Sequence, residues 1–182
     1  MRRGSYIFIL FVMLSICLIQ TSASYAAQTT TAVKSSEGEL WSKRCQDVKV
    51  KDSKKTKQYC EIFQRLSSQS KDGKTFQRVA EFAVGYPPGE KTIRAVIVLP
   101  LGIMVQETMS ILIDEKNENH FHVQYCLADG CYATLNIPKP LLETMGNGKQ
   151  LMIKGKTMAG QPLHIIMGLT GFAKAASGIQ PD

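Results

Sequence analysis

Residues 121–137 read FHVQYCLADGCYATLNI and carry the clearest fold signal in the chain. Apolar and polar side chains alternate on both sides of residues 127–130, whose composition is typical of a tight turn. This pattern predicts an antiparallel β-hairpin. Cys126 and Cys131 flank the turn, so the hairpin would bring their α-carbons within the span that a disulfide needs.

Further runs of alternating or β-branched residues occur along the chain, separated by turn residues. They predict strands at 41–50, 59–66, 76–86, 92–99, 110–114, 150–156 and 162–167. In the strand at 59–66, the pattern places Cys60, Ile62 and Gln64 on one face and Glu61, Phe63 and Arg65 on the other. Residues 115–119 are predicted to form a turn, residues 139–145 a short helix, and residues 169–176 one or two helical turns.

This number of short strands, with so little helix, predicts an all-β fold. An antiparallel β-sandwich, immunoglobulin-like or jelly-roll-like, explains it best. A parallel α/β fold is disfavoured because the chain has no long amphipathic helices to connect parallel strands. Residues 40–182 are predicted to form a single domain of this kind, which is long enough to bury a core.

The first 26 residues have the pattern of a secretion signal. Arg2 and Arg3 supply the positive start, residues 6–19 are apolar, and Ala26 is a small residue at the expected cleavage site. The apolar run is short for a membrane span. We therefore predict that residues 1–26 are removed and that the protein is exported, to the periplasm, the outer membrane or the cell surface.

Residues 27–39 are rich in Thr, Ser and Ala and are predicted to form a flexible leader. Cys17 lies inside the signal, where it could in principle be an acylated first residue of a lipoprotein. The bulky Ile16 stands before it, where lipoproteins need a small residue, and this disfavours lipidation.

Export determines how the remaining cysteines are interpreted, because disulfides form outside the cytoplasm. Four cysteines allow three connectivities. Hairpin geometry favours Cys126–Cys131, and a Cys45–Cys60 disulfide would then close a loop of about 15 residues, stabilising the fold by roughly 3 kcal/mol. A zinc site is the alternative, but the close CxxC pairs typical of such sites are absent.

The formal net charge is +7, and the basic excess lies in the N-terminal third. There are 12 basic and 6 acidic residues from position 34 to 78, but 8 basic and 9 acidic residues from 79 to 182. The densest basic stretch contains Lys49, Lys51, Lys54, Lys55 and Lys57. It predicts either a binding site for an anionic partner or a solvated loop. Nucleic acid is a poor candidate, because the lysines are not interleaved with aromatic residues that could stack on bases.

Catalytic signatures are absent from the sequence: we find no nucleophile elbow, phosphate-binding glycine loop or dinucleotide fingerprint. His120 and His122 are two residues apart, so on one strand they would share a face and could bind a metal ion. Two ordinary surface histidines are the simpler interpretation. We predict a non-enzymatic protein without a cofactor, with a metal-dependent enzyme near His120 and His122 as an alternative.

A series of short segments occurs in a characteristic order. The segments are Trp41 with Cys45, Cys60-Glu61-Ile62, and residues 99–103, 111–114, 125–133 and 168–175. In this order they resemble the invasion-associated locus B family of exported bacterial proteins. The resemblance implies a small periplasmic or outer-membrane-associated β-sandwich, linked in pathogens to entry into host cells, notably erythrocytes. It implies no catalytic residues.

Two functions follow as expectations. The first is an envelope or surface protein that contacts an anionic partner through the lysine-rich segment and can associate peripherally with a membrane. The second is a periplasmic accessory protein that supports envelope protein assembly or stress tolerance.

Overall fold

The computed structural model describes residues 40–49, 56–69, 73–74 and 76–179. The predicted signal and leader lie outside these ranges. The strands are β1 (Ser42–Lys49), β2 (Thr56–Gln69), β3 (Phe76–Gly85), β4 (Arg94–Leu99), β5 (Met109–Ile113), β6 (Lys116–Phe121), β7 (Val123–Leu127), β8 (Gly130–Asn136), β9 (Gln150–Lys156) and β10 (Pro162–Gly168). The helices are α1 (Lys139–Asn147) and α2 (Phe172–Ala176).

The strands form two antiparallel sheets. One has six strands in the order β1-β2-β3-β4-β8-β7, and the other has four in the order β10-β9-β5-β6. Side chains from both sheets join one buried cluster, to which Phe82 and Ile97 contribute from the first sheet and Ile111 and Ile153 from the second. The predicted all-β sandwich is confirmed.

Strand β2 shows how the alternating sequence creates this core. Ile62, Gln64 and Leu66 are buried on the core side, whereas Phe63 and Arg65 lie on the opposite, outer face. Gln64 is the exception to an otherwise apolar core face, since neither atom of its side-chain amide has a hydrogen-bond partner among the described residues. Burial of such a group costs stability.

The β7–β8 hairpin forms where the sequence predicts it. Leu127 pairs with Gly130, so the turn proper contains only two residues, fewer than the four expected. A Cβ atom at Gly130 would lie 2.8 Å from the Leu99 carbonyl oxygen, and its φ is 149°. Glycine therefore allows the hairpin to lie directly against the end of β4.

The predicted turn at 115–119 is wrong. Asp114 and Glu115 both have positive φ, 50° and 63°, and form a two-residue turn that joins β5 directly to β6. The sequence signal fails because β6 is an edge strand. Its first three residues are exposed, so the strand lacks the alternation that a half-buried strand shows.

The two short helices pack against the core beside Trp41. The Trp41 ring makes edge contacts with Phe82 on β3 at 6.4 Å and with Phe172 on α2 at 4.9 Å between centroids. Its indole N–H donates to the Gly168 carbonyl oxygen at 3.1 Å. Trp41 therefore joins the first sheet, the second sheet and α2. No helix in the described part of the chain has the length and apolar character to cross a membrane.

Candidate functional site

Strands β1 and β2 continue past the rest of the six-stranded sheet as a two-stranded ribbon. The last residue of β3, Gly85, pairs with Glu61, so residues 56–60 of β2 are paired with β1 alone. We call residues 45–49 and 56–60 the ribbon. The connecting residues 50–55 lie outside the described part of the chain.

A disulfide closes the base of the ribbon. Cys45 and Cys60 are directly opposite each other in the strand register, their α-carbons are 4.1 Å apart, and their sulfur atoms are bonded. An isolated two-stranded ribbon is marginally stable in water. The disulfide therefore supplies a constraint that the neighbouring sheet does not provide to these residues.

Gly85 shapes the same junction. A Cβ atom at this position would lie 2.8 Å from the Tyr59 hydroxyl and 2.8 Å from the Glu61 Cβ atom. Without a side chain at Gly85, Tyr59 folds back over the end of β3, and its hydroxyl donates to Glu61 Oε2 at 3.1 Å. Partial burial and the Glu61 carboxylate raise the pKa of Tyr59 to about 12.

An arginine–carboxylate network lies on the outer face of the sheet, next to the ribbon. The Glu81 carboxylate is buried and accepts from Arg44 Nη1 at 2.8 Å and from Arg65 Nε at 2.7 Å. Arg44 also binds Glu61 through Nε at 2.5 Å. Burial opposes the charge on Arg44, but the hydrogen bond and charge of Glu61 outweigh it and raise the pKa of Arg44. The carboxylates therefore occupy these two arginines.

The network includes an aromatic ring and continues through Arg78 towards the β7–β8 hairpin. The Arg44 and Arg65 guanidinium carbons lie 4.6 and 5.8 Å from the centre of the Phe63 ring. Further along, Arg78 Nη2 binds Asp129 Oδ2 at 2.6 Å, and the Tyr132 hydroxyl donates to the same oxygen at 2.7 Å. Paired charges of this kind stabilise the face and leave little open charge for a ligand.

The lysines predicted to bind an anionic partner are placed in part. Lys51, Lys54 and Lys55 lie outside the described residues. Lys49 pairs with Thr56 and Lys57 with Val48, so strand alternation directs Lys49 and Lys57 to opposite faces of the ribbon. Both are exposed. The two described lysines therefore do not lie together on one face of the ribbon.

The two histidines proposed as a metal site do not share a strand. His120 is in β6, opposite Ser110, whereas His122 follows the end of that strand, where the chain passes to the other sheet. Throughout the described ranges, no group of three or more His, Cys, Asp or Glu side chains is arranged to hold a metal ion. The structure therefore gives no support to a metal-dependent site near them.

The sequence interpretation missed the network around Glu81. Its only local signal is a charged residue inside an apolar run, residues 79–84, which then becomes buried. A buried carboxylate needs charged or hydrogen-bonding partners. The partners Arg44 and Arg65 come from other strands, so no sequence spacing identifies them.

Comparisons with known proteins agree with this architecture. Residues 41–180 match the family described as "Invasion associated locus B (IalB) protein". The fold is similar to the crystal structure of invasion associated protein B from Bartonella henselae, with a TM-score of 0.62 and 20% sequence identity. That match covers 76% of this chain and 89% of the other. Neither description names an enzymatic activity. A search of curated protein sequences finds no significant match.

Proposed function

Because the chain belongs to the invasion associated locus B family, we propose that it is an exported, non-enzymatic envelope or surface protein that contributes to host-cell entry. Its contact with the host is the binding of an anionic surface by the ribbon. The single observation that supports this contact is a disulfide-closed basic ribbon that extends past the sheet.

The charge of the ribbon favours an anionic partner. Its described residues include Lys49 and Lys57 against one acidic residue, Asp47. The sequence of the connecting segment adds three lysines and one aspartate. Neither Lys49 nor Lys57 forms an ion pair with another described residue, in contrast to Arg44. Charge that is not used internally can attract a partner and speed its encounter.

The distribution of the charge suits an extended partner. Because Lys49 and Lys57 lie on opposite faces, a flat, rigid surface could contact only one of them at a time. A polyanionic layer, in which many mobile charges surround the ribbon, can contact both. The proposed partner is therefore an anionic cell-surface layer, and the erythrocyte surface is the example to test.

The two disulfides support export. Each joins cysteines that are directly opposite in an antiparallel pair, and each has one exposed cysteine, Cys45 or Cys126. Exposed disulfides persist in oxidising compartments and are rare in the cytosol. Export also agrees with the predicted signal at residues 1–26.

Charge reversal tests the binding. The variant Lys54→Glu/Lys55→Glu/Lys57→Glu should bind erythrocytes at least about tenfold more weakly at physiological salt, because loss of several screened attractions exceeds about 1.4 kcal/mol. The matched control is Lys116→Glu/Lys139→Glu/Lys149→Glu, which changes the net charge equally at exposed positions outside the ribbon. Equal binding by both variants would contradict the proposal.

Protease treatment of intact bacteria tests the location. A surface protein should be cleaved before the outer membrane is breached, whereas an internal protein should be protected. Complete protection would contradict host-surface binding and would favour the periplasmic accessory function.

A further inference from the structure

A cleft of ≈ 250 Å³ lies between the start of β1 and helix α2. It is lined by Trp41, Lys43, Gly171, Lys174, Ala175 and Gly178. The proposed host contact uses none of these residues. They come from the two ends of the described chain, so the cleft exists only because α2 packs against β1.

The wall of the cleft is rigid and apolar. Trp41 is fixed on both sides, by its hydrogen bond to Gly168 and by the edge contact with Phe172. Ala175 presents only a methyl group. Aromatic and small apolar side chains of this kind line most small-molecule sites.

Two glycines line the cleft. A Cβ atom built on Gly171 would meet no atom within 4 Å, whereas a Cβ atom on Gly178 would lie 3.3 Å from the Ala175 carbonyl oxygen and 3.9 Å from Lys43 Nζ. Gly171 has a φ of 82°, a conformation that favours glycine. A side chain at Gly171 would therefore enter space that is now free of protein atoms, whereas a side chain at Gly178 would press against the Ala175 carbonyl oxygen.

Among the described residues that line the cleft, the charged side chains are all basic. Lys43 and Lys174 are basic, and none of the six lining residues is acidic. Lys43 Nζ donates to the Gly178 carbonyl oxygen at 2.6 Å, which fixes the ammonium group at the cleft. An ammonium carries three N–H donors, so this one bond leaves donors for an anionic oxygen.

We propose that this cleft binds a small amphipathic carboxylate. The apolar body packs against Trp41 and Ala175, the carboxylate oxygens accept hydrogen bonds from Lys43, and Lys174 adds a second positive charge beside them. The volume is below the roughly 300–1,000 Å³ of sites for larger ligands. It therefore fits a single aromatic ring or a short acyl chain.

Tryptophan fluorescence provides a direct measurement, because Trp41 is the single tryptophan in the sequence. Titration of the exported protein with phenylpropanoate or octanoate should shift its emission in a saturable way. The matched alcohols, phenylpropanol and octanol, should bind about tenfold more weakly, since they lack the charge. No saturable shift, or equal affinity for acids and alcohols, would overturn the proposal.

Two variants locate the site. Lys174→Met should weaken phenylpropanoate binding about fivefold to tenfold, and the difference in affinity between phenylpropanoate and phenylpropanol should become smaller. Lys174→Arg should retain most of the affinity for phenylpropanoate. Ala175→Leu should fill the cleft and abolish binding of both. The control is Ala173→Leu, at an exposed position on the same helix that does not line the cleft. Unchanged binding by Ala175→Leu, with normal thermal unfolding, would overturn the proposal.

Discussion

A disulfide joins the outer pair of strands on each side of the six-stranded sheet. We call strands β1 and β2 the ribbon end and strands β7 and β8 the hairpin end. At the ribbon end, Cys45–Cys60 links two strands that pair only with each other beyond Glu61, and Cys45 is exposed although Cys60 packs against the core. At the other end, Cys126–Cys131 closes the β7–β8 hairpin, and Cys131 is buried in the core. The first disulfide adds a covalent link where pairing with β3 has ended, whereas the second joins a strand pair whose Cys131 is fully packed in the core.

The two ends also differ in the chemistry of their exposed side chains. The ribbon carries exposed lysines. The opposite end carries exposed apolar side chains, Leu101 and Val105 in the loop after β4, Leu127 at the hairpin, and Met158 in the turn after β9. The two loops are joined by a hydrogen bond from the Met158 N–H to the Gly102 carbonyl oxygen at 2.8 Å. One end is therefore basic, and the other is apolar.

Removing either disulfide should give the largest loss of stability, and the two losses should differ between the ribbon end and the hairpin end. Cys45→Ser/Cys60→Ser should lower the free energy of unfolding by about 3 kcal/mol and Cys126→Ser/Cys131→Ser by about 2 kcal/mol, because the first link closes the longer loop. The sequence separations are 15 and 5 residues. Urea unfolding of both variants measures the difference. A larger loss at the hairpin would show that packing around Cys131, and not loop length, determines the cost.

A methyl group at Gly85 should damage the ribbon end alone. Gly85→Ala places a Cβ atom 2.8 Å from both Glu61 Cβ and the Tyr59 hydroxyl, and such overpacking costs about 2 kcal/mol. The control is Gly146→Ala in α1, where the new atom would meet Ala173 Cβ at an ordinary 3.6 Å. The control should be neutral or stabilising, since alanine favours helix. Equal unfolding free energies for the two variants would refute this role of Gly85.

The smallest expected effects are opposite responses to pH. The pKa of Tyr59 is raised to about 12, so its stabilising contribution is complete below pH of about 10 and is lost as the pH rises towards 12. Hydrogen bonds from Tyr132 and Arg78 lower the pKa of Asp129, so its contribution is present above the ordinary aspartate pKa and is lost in acid. The ribbon end should therefore loosen in alkali and the hairpin end in acid.

Optical and magnetic titrations can follow the two responses separately. In an ultraviolet titration, Tyr59→Phe should remove the tyrosine component that ionises near pH 12. In an NMR titration, the Tyr132 ring signals should follow the ionisation of Asp129, and Asp129→Asn should abolish that response. If the Tyr132 ring signals still shifted in acid in the Asp129→Asn variant, the shift would not come from Asp129 and the prediction would be wrong.

Local sequence patterns account for most of the fold. Alternation predicted which residues of β2 share a face, and it predicted both strands of the hairpin. It can do so because successive side chains along a strand point to opposite faces, whatever the strand packs against. Strand β6 was missed because it lacks this alternation. The first half of β6 is exposed at the edge of its sheet, so its residues need not alternate between apolar and polar.

The candidate sites could be predicted from the sequence only in part. The cysteine spacing favoured the two disulfides, and the lysine cluster was visible as composition. The partners of Glu81 were not predictable, because Arg44, Arg65 and Glu81 lie on three different strands. The cleft was not predictable either, since Trp41 and Ala175 meet only after both sheets have formed.

The sequence by itself determined the β-sandwich class, the hairpin at 126–131, the basic segment and the family, because each depends on short-range pattern or on residues in order. The tertiary structure alone decided which charges are neutralised, where the ribbon leaves the sheet, and that a cleft opens beside Trp41. These features depend on contacts between residues far apart in the chain. Such contacts are set by how the sheets and α2 pack together, and not by the local preferences of the backbone.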